Sequence, residues 1–216
     1  MRIKSILTAG LALIAITLIG NRTAHADNFR WLGVDPELEW CNPANWLNLN
    51  DPFLGDYPDD ADDKAFVGAG VFNGCVGLCG DTTIGVLVIE DDGCVFVTNG
   101  HTLTITDTGT RNGRLTIEPG GTLGIANGRV ELAGDGVSHK IGGSVLLTSS
   151  TSILLISGDA TLDPFTKRFI SSGGGPRPVY GKVKGQHNSA EIQIKRGKTL
   201  TNNITICGQM IIKAVP

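Results

Sequence analysis

Charged and aromatic residues are scarce in this sequence. Asp, Glu, Lys and Arg make up 18% of the 216 residues, and Phe, Trp and Tyr make up 6%. Bundles of amphipathic helices carry more charge on their solvent faces, whereas the 30 glycines are typical of a chain with many tight turns. We therefore expect an all-β protein with one sizeable core.

An excess of positive charge is also missing. Residues 1–26 contain three of the 18 basic residues and none of the 21 acidic ones, so residues 27–216 carry a formal charge of 15 − 21 = −6. Nucleic acid is not expected as a partner of so acidic a chain.

A long apolar run occurs only at the start of the chain. Arg2 and Lys4 precede an apolar stretch over residues 5–20, and Ala24-His25-Ala26 places small residues around a cleavage point. This pattern is typical of a secretion signal. A membrane anchor is the alternative, but the run has about 16 residues where a spanning helix needs about 20. We predict that residues 1–26 are removed and that the protein is secreted, extracellular or in the cell envelope, with no membrane span.

The remaining apolar residues occur mostly in short triplets, in which two apolar side chains flank a third residue. The first six triplets form two sets of three, and the second set follows the first after roughly 28 residues. The sets are Leu87-Val88-Ile89, Val95-Phe96-Val97 and Leu103-Thr104-Ile105, then Leu115-Thr116-Ile117, Leu123-Gly124-Ile125 and Val130-Glu131-Leu132. A third set is expected at residues 145–147, 153–155 and 160–162, and a weaker fourth at 180–183, 192–194 and 204–206.

Each triplet predicts a very short β-strand. Its outer two side chains point to one side and its middle one to the other, so Leu115 and Ile117 are expected inside and Thr116 in solvent. Strands this short are stable when stacked coils align them into continuous columns. An antiparallel β-sandwich is the alternative, although its strands usually have about five or six residues. We predict a single-stranded right-handed parallel β-helix with about three strands per coil over residues 64–216.

The region from about residue 84 to residue 162 carries a family resemblance. Phrases such as LTIEPGGTLGI resemble the right-handed parallel β-helices of autotransporter passengers and pectin-lyase-like exported proteins. That resemblance implies an exported repeat protein more firmly than it implies an activity.

The segment before the repeat differs in composition. Trp31, Trp40 and Trp46 are followed by two prolines and an acidic run, which is similar to the tryptophan-rich start of exported repeat proteins. Bulky aromatic residues are suited to covering the exposed end of a first coil. We predict that residues 27–63 form an N-terminal cap.

All five cysteines lie after the signal, where thiols tend to form disulfides. A zinc site is disfavoured because no second closely spaced pair completes Cys75 and Cys79. We predict two disulfides among Cys41, Cys75, Cys79 and Cys94, with Cys207 left over. Three pairings are possible, and stacking of neighbouring coils favours Cys75 with Cys94 and Cys41 with Cys79.

Two groups of residues are candidate binding sites. Closely spaced carboxylates can bind Ca²⁺, although an acidic run is also typical of a solvated turn. Exposed aromatic side chains can bind sugars, although capping of the core is the simpler interpretation. The candidate Ca²⁺ ligands are Asp59, Asp60, Asp62 and Asp63, and the candidate glycan-binding residues are Trp31, Trp40, Trp46 and Tyr57.

No catalytic residue is predicted. The outward carboxylates Glu118, Glu131, Asp107 and Asp135 form no convincing acid–base pair, and no nucleophile elbow is present. We predict a non-enzymatic β-solenoid that is a structural or adhesive element of the cell surface or extracellular matrix, with no cofactor except possible Ca²⁺. The alternative is a carbohydrate-active protein, either a glycan-binding module or a small polysaccharide lyase. The partner in either case is an extracellular glycan or surface protein.

Overall fold

The computed structural model describes residues 26–68, 75–109, 111–167 and 177–216. The predicted signal segment, residues 1–26, lies outside the described residues apart from Ala26. Within the described ranges, no helix has the length and apolar character needed to cross a membrane. In chain order the elements are β1 (Asn28–Trp31), the 3₁₀ turn η1 (Pro43–Asn45), β2 (Trp46–Asn48), β3 (Lys64–Val67), β4 (Val76–Gly77), β5 (Thr82–Ile84), β6 (Val86–Ile89), β7 (Cys94–Val97), β8 (Thr102–Ile105), β9 (Arg114–Ile117), β10 (Thr122–Ile125), β11 (Arg129–Leu132), β12 (Val137–Ile141), β13 (Ser144–Leu147), β14 (Ile153–Ile156), β15 (Ala160–Lys167), β16 (Arg177–Val179), β17 (Lys182–Lys195), β18 (Leu200–Asn202) and β19 (Thr205–Val215).

The strands stack into three parallel faces around one core. The first face contains β3, β6, β9, β12, β15 and β18. The second contains β4, β7, β10 and β13, and the third contains β5, β8, β11 and β14. Strands β17 and β19 are longer and continue from the second face onto the third, with an irregularity between Gln186 and Glu191.

The pairing between coils is parallel and in register. On the third face, for example, Leu103 pairs with Val130, Val130 with Leu154, and Leu154 with Ile192. In the described residues, the antiparallel strand pairs are β1 with β2 and β15 with β16. The fold is therefore a β-solenoid, as predicted, and it has about six turns; the antiparallel sandwich is excluded.

One strand differs from the predicted grouping of triplets. Strand β12 pairs with β9 on one side and β15 on the other, so it supplies the first-face strand of the coil that continues into β13 and β14. Residues 160–162 were expected to close that coil, but they open the next one. The strand escaped the pattern because its central inward residue is His139, which interrupts the apolar alternation between Val137 and Ile141.

The inward residues of the triplets form continuous apolar columns. Leu103, Ile105, Leu123, Ile125 and Val130 are all fully buried. Burying a side chain of this kind stabilises the fold by roughly 1.5 to 3 kcal/mol, and the stack repeats that contribution in every coil.

Thr116 departs from its expected exposure. It lies on the outer side of the first face, as the alternation requires, but only 8% of its surface is exposed. Its lateral neighbours in the sheet are Val88 and Lys140, whose side chains stand on either side of it. The expectation that Thr116 faces solvent was therefore wrong.

A column of glycines lies at the corner between the first and second faces. A Cβ atom on Gly143 would approach the carbonyl oxygen of Gly121 to 2.1 Å, and one on Gly181 would approach that of Gly143 to 2.6 Å. A residue with a side chain at these corners would therefore clash with the backbone of the neighbouring coil. Asn99 and Asn127 have φ values of 58° and 61°, the left-handed conformation that suits the tight Asn-Gly turns at these positions.

Two disulfides connect the start of the solenoid. Cys41 pairs with Cys79, and Cys75 pairs with Cys94, which is the favoured pairing. The Cys41–Cys79 bond links residues 27–63 to the first coil, which consists of β3, β4 and β5. The Cys75–Cys94 bond links that coil to the second one, which consists of β6, β7 and β8. Cys207 is an exposed free thiol on β19.

The last coil is more exposed than the others. Ile212 continues the column of Ile192, yet 55% of its surface is exposed while Ile192 is fully buried. The apolar columns are thus buried up to β17, and their last members, on β19, are exposed to solvent.

Candidate functional site

The three candidate glycan-binding tryptophans lie together but are buried. Trp31, Trp40 and Trp46 expose 4%, 0% and 5% of their surfaces. Trp46 makes edge contacts with the other two, with ring centroids 5.1 Å and 4.8 Å apart. The Trp40 indole N–H donates to the carbonyl of Pro58, and that of Trp46 donates to the carbonyl of Trp40. Tyr57 is partly buried against the same cluster. This burial favours a packing role for these residues over sugar binding.

Asp63 closes a turn with its side chain. Its Oδ1 accepts a hydrogen bond from the backbone N–H of Asp27, and its Oδ2 accepts from those of Asp59 and Asp60, at 3.1 to 3.2 Å. Only 3% of its surface is exposed. Burial raises the pKa of Asp63 to about 6, although the three amide donors oppose that rise. Asp63 thus orders the segment that leads into β3.

The acidic run does not converge on one point. Asp62 accepts a hydrogen bond from the hydroxyl of Thr108, whereas both oxygens of Asp63 face backbone amides. In the part of the chain that the structure describes, no three His, Cys, Asp or Glu side chains are grouped so as to hold a metal ion. Binding of Ca²⁺ by Asp59, Asp60, Asp62 and Asp63 stays a prediction.

The outward carboxylates considered for catalysis are dispersed over the solenoid. Glu131 accepts a hydrogen bond from the Ser157 hydroxyl at 2.6 Å, and Asp135 accepts from Lys198 Nζ at 2.7 Å. Glu118 follows β9 on the first face, and Asp107 follows β8 on the third face, one strand earlier in the chain. Among the described residues, no hydrogen bond joins any two of these four.

His139 is a buried polar residue inside the core. Its Nδ1 accepts a hydrogen bond from the backbone N–H of Leu115 at 3.1 Å, and its Nε2 has no hydrogen-bond partner. The imidazole replaces a backbone hydrogen bond between β9 and β12, because these two strands pair only from Thr116 onward. Burial, and secondarily the positive charge of Arg114, lower the pKa of His139 to about 4.

This environment makes stability depend on pH. Between about pH 6.5 and pH 4 the unfolded chain binds a proton at residue 139 that the folded chain does not, so the folded state loses stability as the pH falls. We expect the free energy of unfolding to drop between pH 7 and pH 4.5 by about 2 kcal/mol more in the natural chain than in His139→Leu. Urea unfolding of both proteins at the two pH values measures this difference.

The variant also leaves the Leu115 N–H unpaired, which lowers its stability at both pH values. The comparison therefore uses the change with pH and not the absolute stability. The opposite contribution of Asp63 is common to both proteins and cancels. An identical pH dependence in the two would show that His139 is not buried as described.

A polar cluster near the last coils was not foreseen from the sequence. Asp163 accepts hydrogen bonds from the Ser138 hydroxyl, from Asn203 Nδ2 at 2.8 Å and from Lys140 Nζ at 3.0 Å. These three donors, Ser138 first, lower the pKa of Asp163 to about 2. The cluster pairs its charges internally and so stabilises the outer side of β12 and β15.

A second unforeseen feature is a cavity of about 400 Å³ on the outer side of the first face. Lys64, Val86 and Arg114 are lateral neighbours on three successive coils, and all three line the cavity. Arg111 and Asp107, from the loop between β8 and β9, also line it. Because the apolar side chain of Val86 lies between two long basic ones, the surface is depressed at its position. We call this feature the cationic pocket.

Arg111 holds the loop against the start of the solenoid. Its Nε donates to the carbonyl of Asp62 at 2.8 Å, and one terminal nitrogen donates to Asn28 Oδ1 at 3.1 Å. Its side chain passes over Gly85, where a Cβ atom would lie 2.5 Å from Arg111 Cβ. Both acceptors are neutral oxygens, so they do not neutralise the positive charge of the Arg111 guanidinium beside the pocket.

Comparisons with known proteins give no relative for this chain. No protein-family model, no curated protein and no solved structure matches it. The resemblance to autotransporter passengers and pectin-lyase-like proteins stays a prediction, whereas the β-solenoid fold is established.

Proposed function

We propose that this protein is an exported, non-enzymatic β-solenoid that acts as a structural or adhesive element of the cell surface or extracellular matrix. The observation that carries the proposal is the pair of disulfides at the start of the solenoid. Such bonds form and persist in oxidising compartments outside the cytosol. The signal-like residues 1–26 supply the route to that compartment.

We also propose that residues 27–63 cap the first coil. Strand β1 extends the first face by pairing in parallel with β3, and β2 pairs antiparallel with β1. Trp40 and Trp46 join the same apolar cluster as the inward residues of the coils. The segment thereby covers apolar surface that the first coil would otherwise expose.

The alternative, a carbohydrate-active protein, is favoured by one observation, the cationic pocket. A charged cavity on the outer side of a solenoid is suited to holding an acidic sugar. Such binding is compatible with an adhesive role and requires no catalysis.

Export is tested by the intact mass of the protein collected outside a secreting host. We expect the mass of residues 27–216 less the hydrogens lost in two disulfides, because Ala24 and Ala26 fit the cleavage site of a signal peptidase. A variant with Lys at both alanines serves as the control and is expected to remain uncleaved at that point. A secreted chain that retains residues 1–26 would contradict the proposed signal.

The same purified protein tests whether the solenoid is an enzyme. We expect no release of reducing or unsaturated sugars from pectin, alginate or chitin above a heat-treated control, with or without Ca²⁺. Release that disappears in Glu118→Gln or Glu131→Gln would replace the proposal by the lyase alternative.

A further inference from the structure

The cationic pocket concentrates positive charge on a chain that is acidic as a whole. Lys64, Arg111 and Arg114 line it, and Asp107 is the one carboxylate among the lining residues of the described chain. Asp107 Oδ1 already accepts a hydrogen bond from the backbone N–H of Gly109 at 2.8 Å. The lining thus has three cations and one carboxylate, whereas residues 27–216 have a net charge of −6 (15 − 21).

None of the three cations is neutralised by a neighbouring acid. Within the described residues, no carboxylate lies within 4.0 Å of the charged nitrogens of Lys64, Arg111 or Arg114. By contrast, Arg30 on the same face forms a bidentate pair with Glu90, at 2.8 and 2.9 Å.

Burial makes this arrangement more costly for the folded protein. The Nε atom of Arg114 is buried and has no hydrogen-bond partner. The pKa of Lys64 is lowered by burial, and further by the positive charges of Arg111 and Arg114. The Lys64 ammonium lies 4.4 Å from the centre of the Phe66 ring, a contact that is weaker than an ion pair. An anion placed among these cations would relieve their mutual repulsion.

We propose that the cationic pocket binds an oxyanion, the carboxylate or sulfate group carried by an acidic polysaccharide. Arginine is the residue best suited to such groups, because its planar donors match two oxygens at once. Arg114 supplies its guanidinium on one side of Val86, and Lys64 supplies a point charge on the other. The cavity volume of about 400 Å³ lies in the range of small-ligand sites.

The acidic surface outside the pocket limits how much of an anionic chain the protein attracts. The charge of −6 over residues 27–216 repels a polyanion away from the pocket, so only the group inside it is attracted (15 − 21). The choice of an extracellular polysaccharide as the source of the oxyanion rests on the proposed function, whereas the oxyanion site itself rests on the pocket alone.

The experiment is a calorimetric titration of the protein comprising residues 27–216. The probes are oligogalacturonate, a sulfated oligosaccharide, a neutral oligosaccharide of equal length, and inorganic sulfate. We expect one or both acidic oligosaccharides to bind and the neutral one not to bind. Arg114→Gln and Lys64→Met are each expected to weaken that binding at least tenfold.

Arg129→Gln is the matched control. Arg129 opens β11 on the third face, as Arg114 opens β9 on the first, and both are half-buried. Its replacement is expected to change the affinity less than twofold. Circular dichroism melting of every variant shows whether the fold is kept, and Lys64→Met provides a second test if Arg114→Gln unfolds.

Each outcome decides one of the two claims. No binding of any acidic probe, or equal binding by Arg114→Gln, Lys64→Met and the natural chain, would overturn the oxyanion site. Binding of inorganic sulfate that depends on Arg114, without binding of either acidic oligosaccharide, would support the site but contradict its use in adhesion to acidic glycans.

Discussion

Replacing Ile105 by Lys is expected to lower the free energy of unfolding by about 4 kcal/mol or more, because an unpaired ammonium would then lie inside the solenoid. Ile105 is fully buried in a column between Ile84 and Leu132. A lysine there cannot reach solvent, since the three faces enclose the column on all sides. Chemical denaturation of the variant and the natural chain measures the difference.

The adjacent residue supplies the control. Thr104 points outward and has Thr83 and Glu131 as its lateral neighbours. Thr104→Lys places the same ammonium in solvent beside a carboxylate, so we expect a change of less than about 1 kcal/mol. Equal destabilisation by the two substitutions would mean that the inner and outer sides of β8 are assigned wrongly.

Removal of both disulfides is expected to have the second largest effect. The two bonds close segments separated by 38 and 19 residues. Restricting loops of these lengths in the unfolded chain corresponds to roughly 4 and 3 kcal/mol on the chain-entropy account, and less in total because the loops overlap. We expect a chain with Ser at Cys41, Cys75, Cys79 and Cys94 to lose most of that sum in thermal or urea unfolding.

Cys207→Ser is the matched control for this experiment. Cys207 is exposed and forms no disulfide, so its replacement is expected to leave the stability of the monomer unchanged. Retention of full stability by the four-serine chain would show that the first coils are held by packing alone.

The solenoid could be predicted because its inward and outward positions alternate within each triplet. Leu103, Thr104 and Ile105 show this alternation without reference to any other coil. The disulfide pairing followed from the same coil order, since a strand pairs with its counterpart one turn away. The strand β12 was missed for the converse reason, because the inward His139 is polar and its burial depends on one bond to a neighbouring coil.

Features that depend on lateral neighbours could not be predicted from the sequence. The burial of Thr116 results from the side chains of Val88 and Lys140, which are 28 and 24 positions away. Lys64 and Arg114 come together only because their strands flank β6 in register. The tryptophans were recognised as a group, but only their packing shows that the indoles are buried.

The account depends on the parallel register of successive coils, and the most direct test is a pair of engineered disulfides in a Cys207→Ser background. Thr104 and Glu131 are lateral neighbours on adjacent coils. Laterally paired residues lie about 4.8 Å apart, within the range that a disulfide spans. Thr104 and Thr116 lie on different faces, although an antiparallel hairpin of β8 and β9 would place them opposite each other. The account predicts that Thr104→Cys with Glu131→Cys forms an intramolecular bond on mild oxidation, whereas Thr104→Cys with Thr116→Cys does not; the reverse result, identified by peptide mapping, would contradict the solenoid.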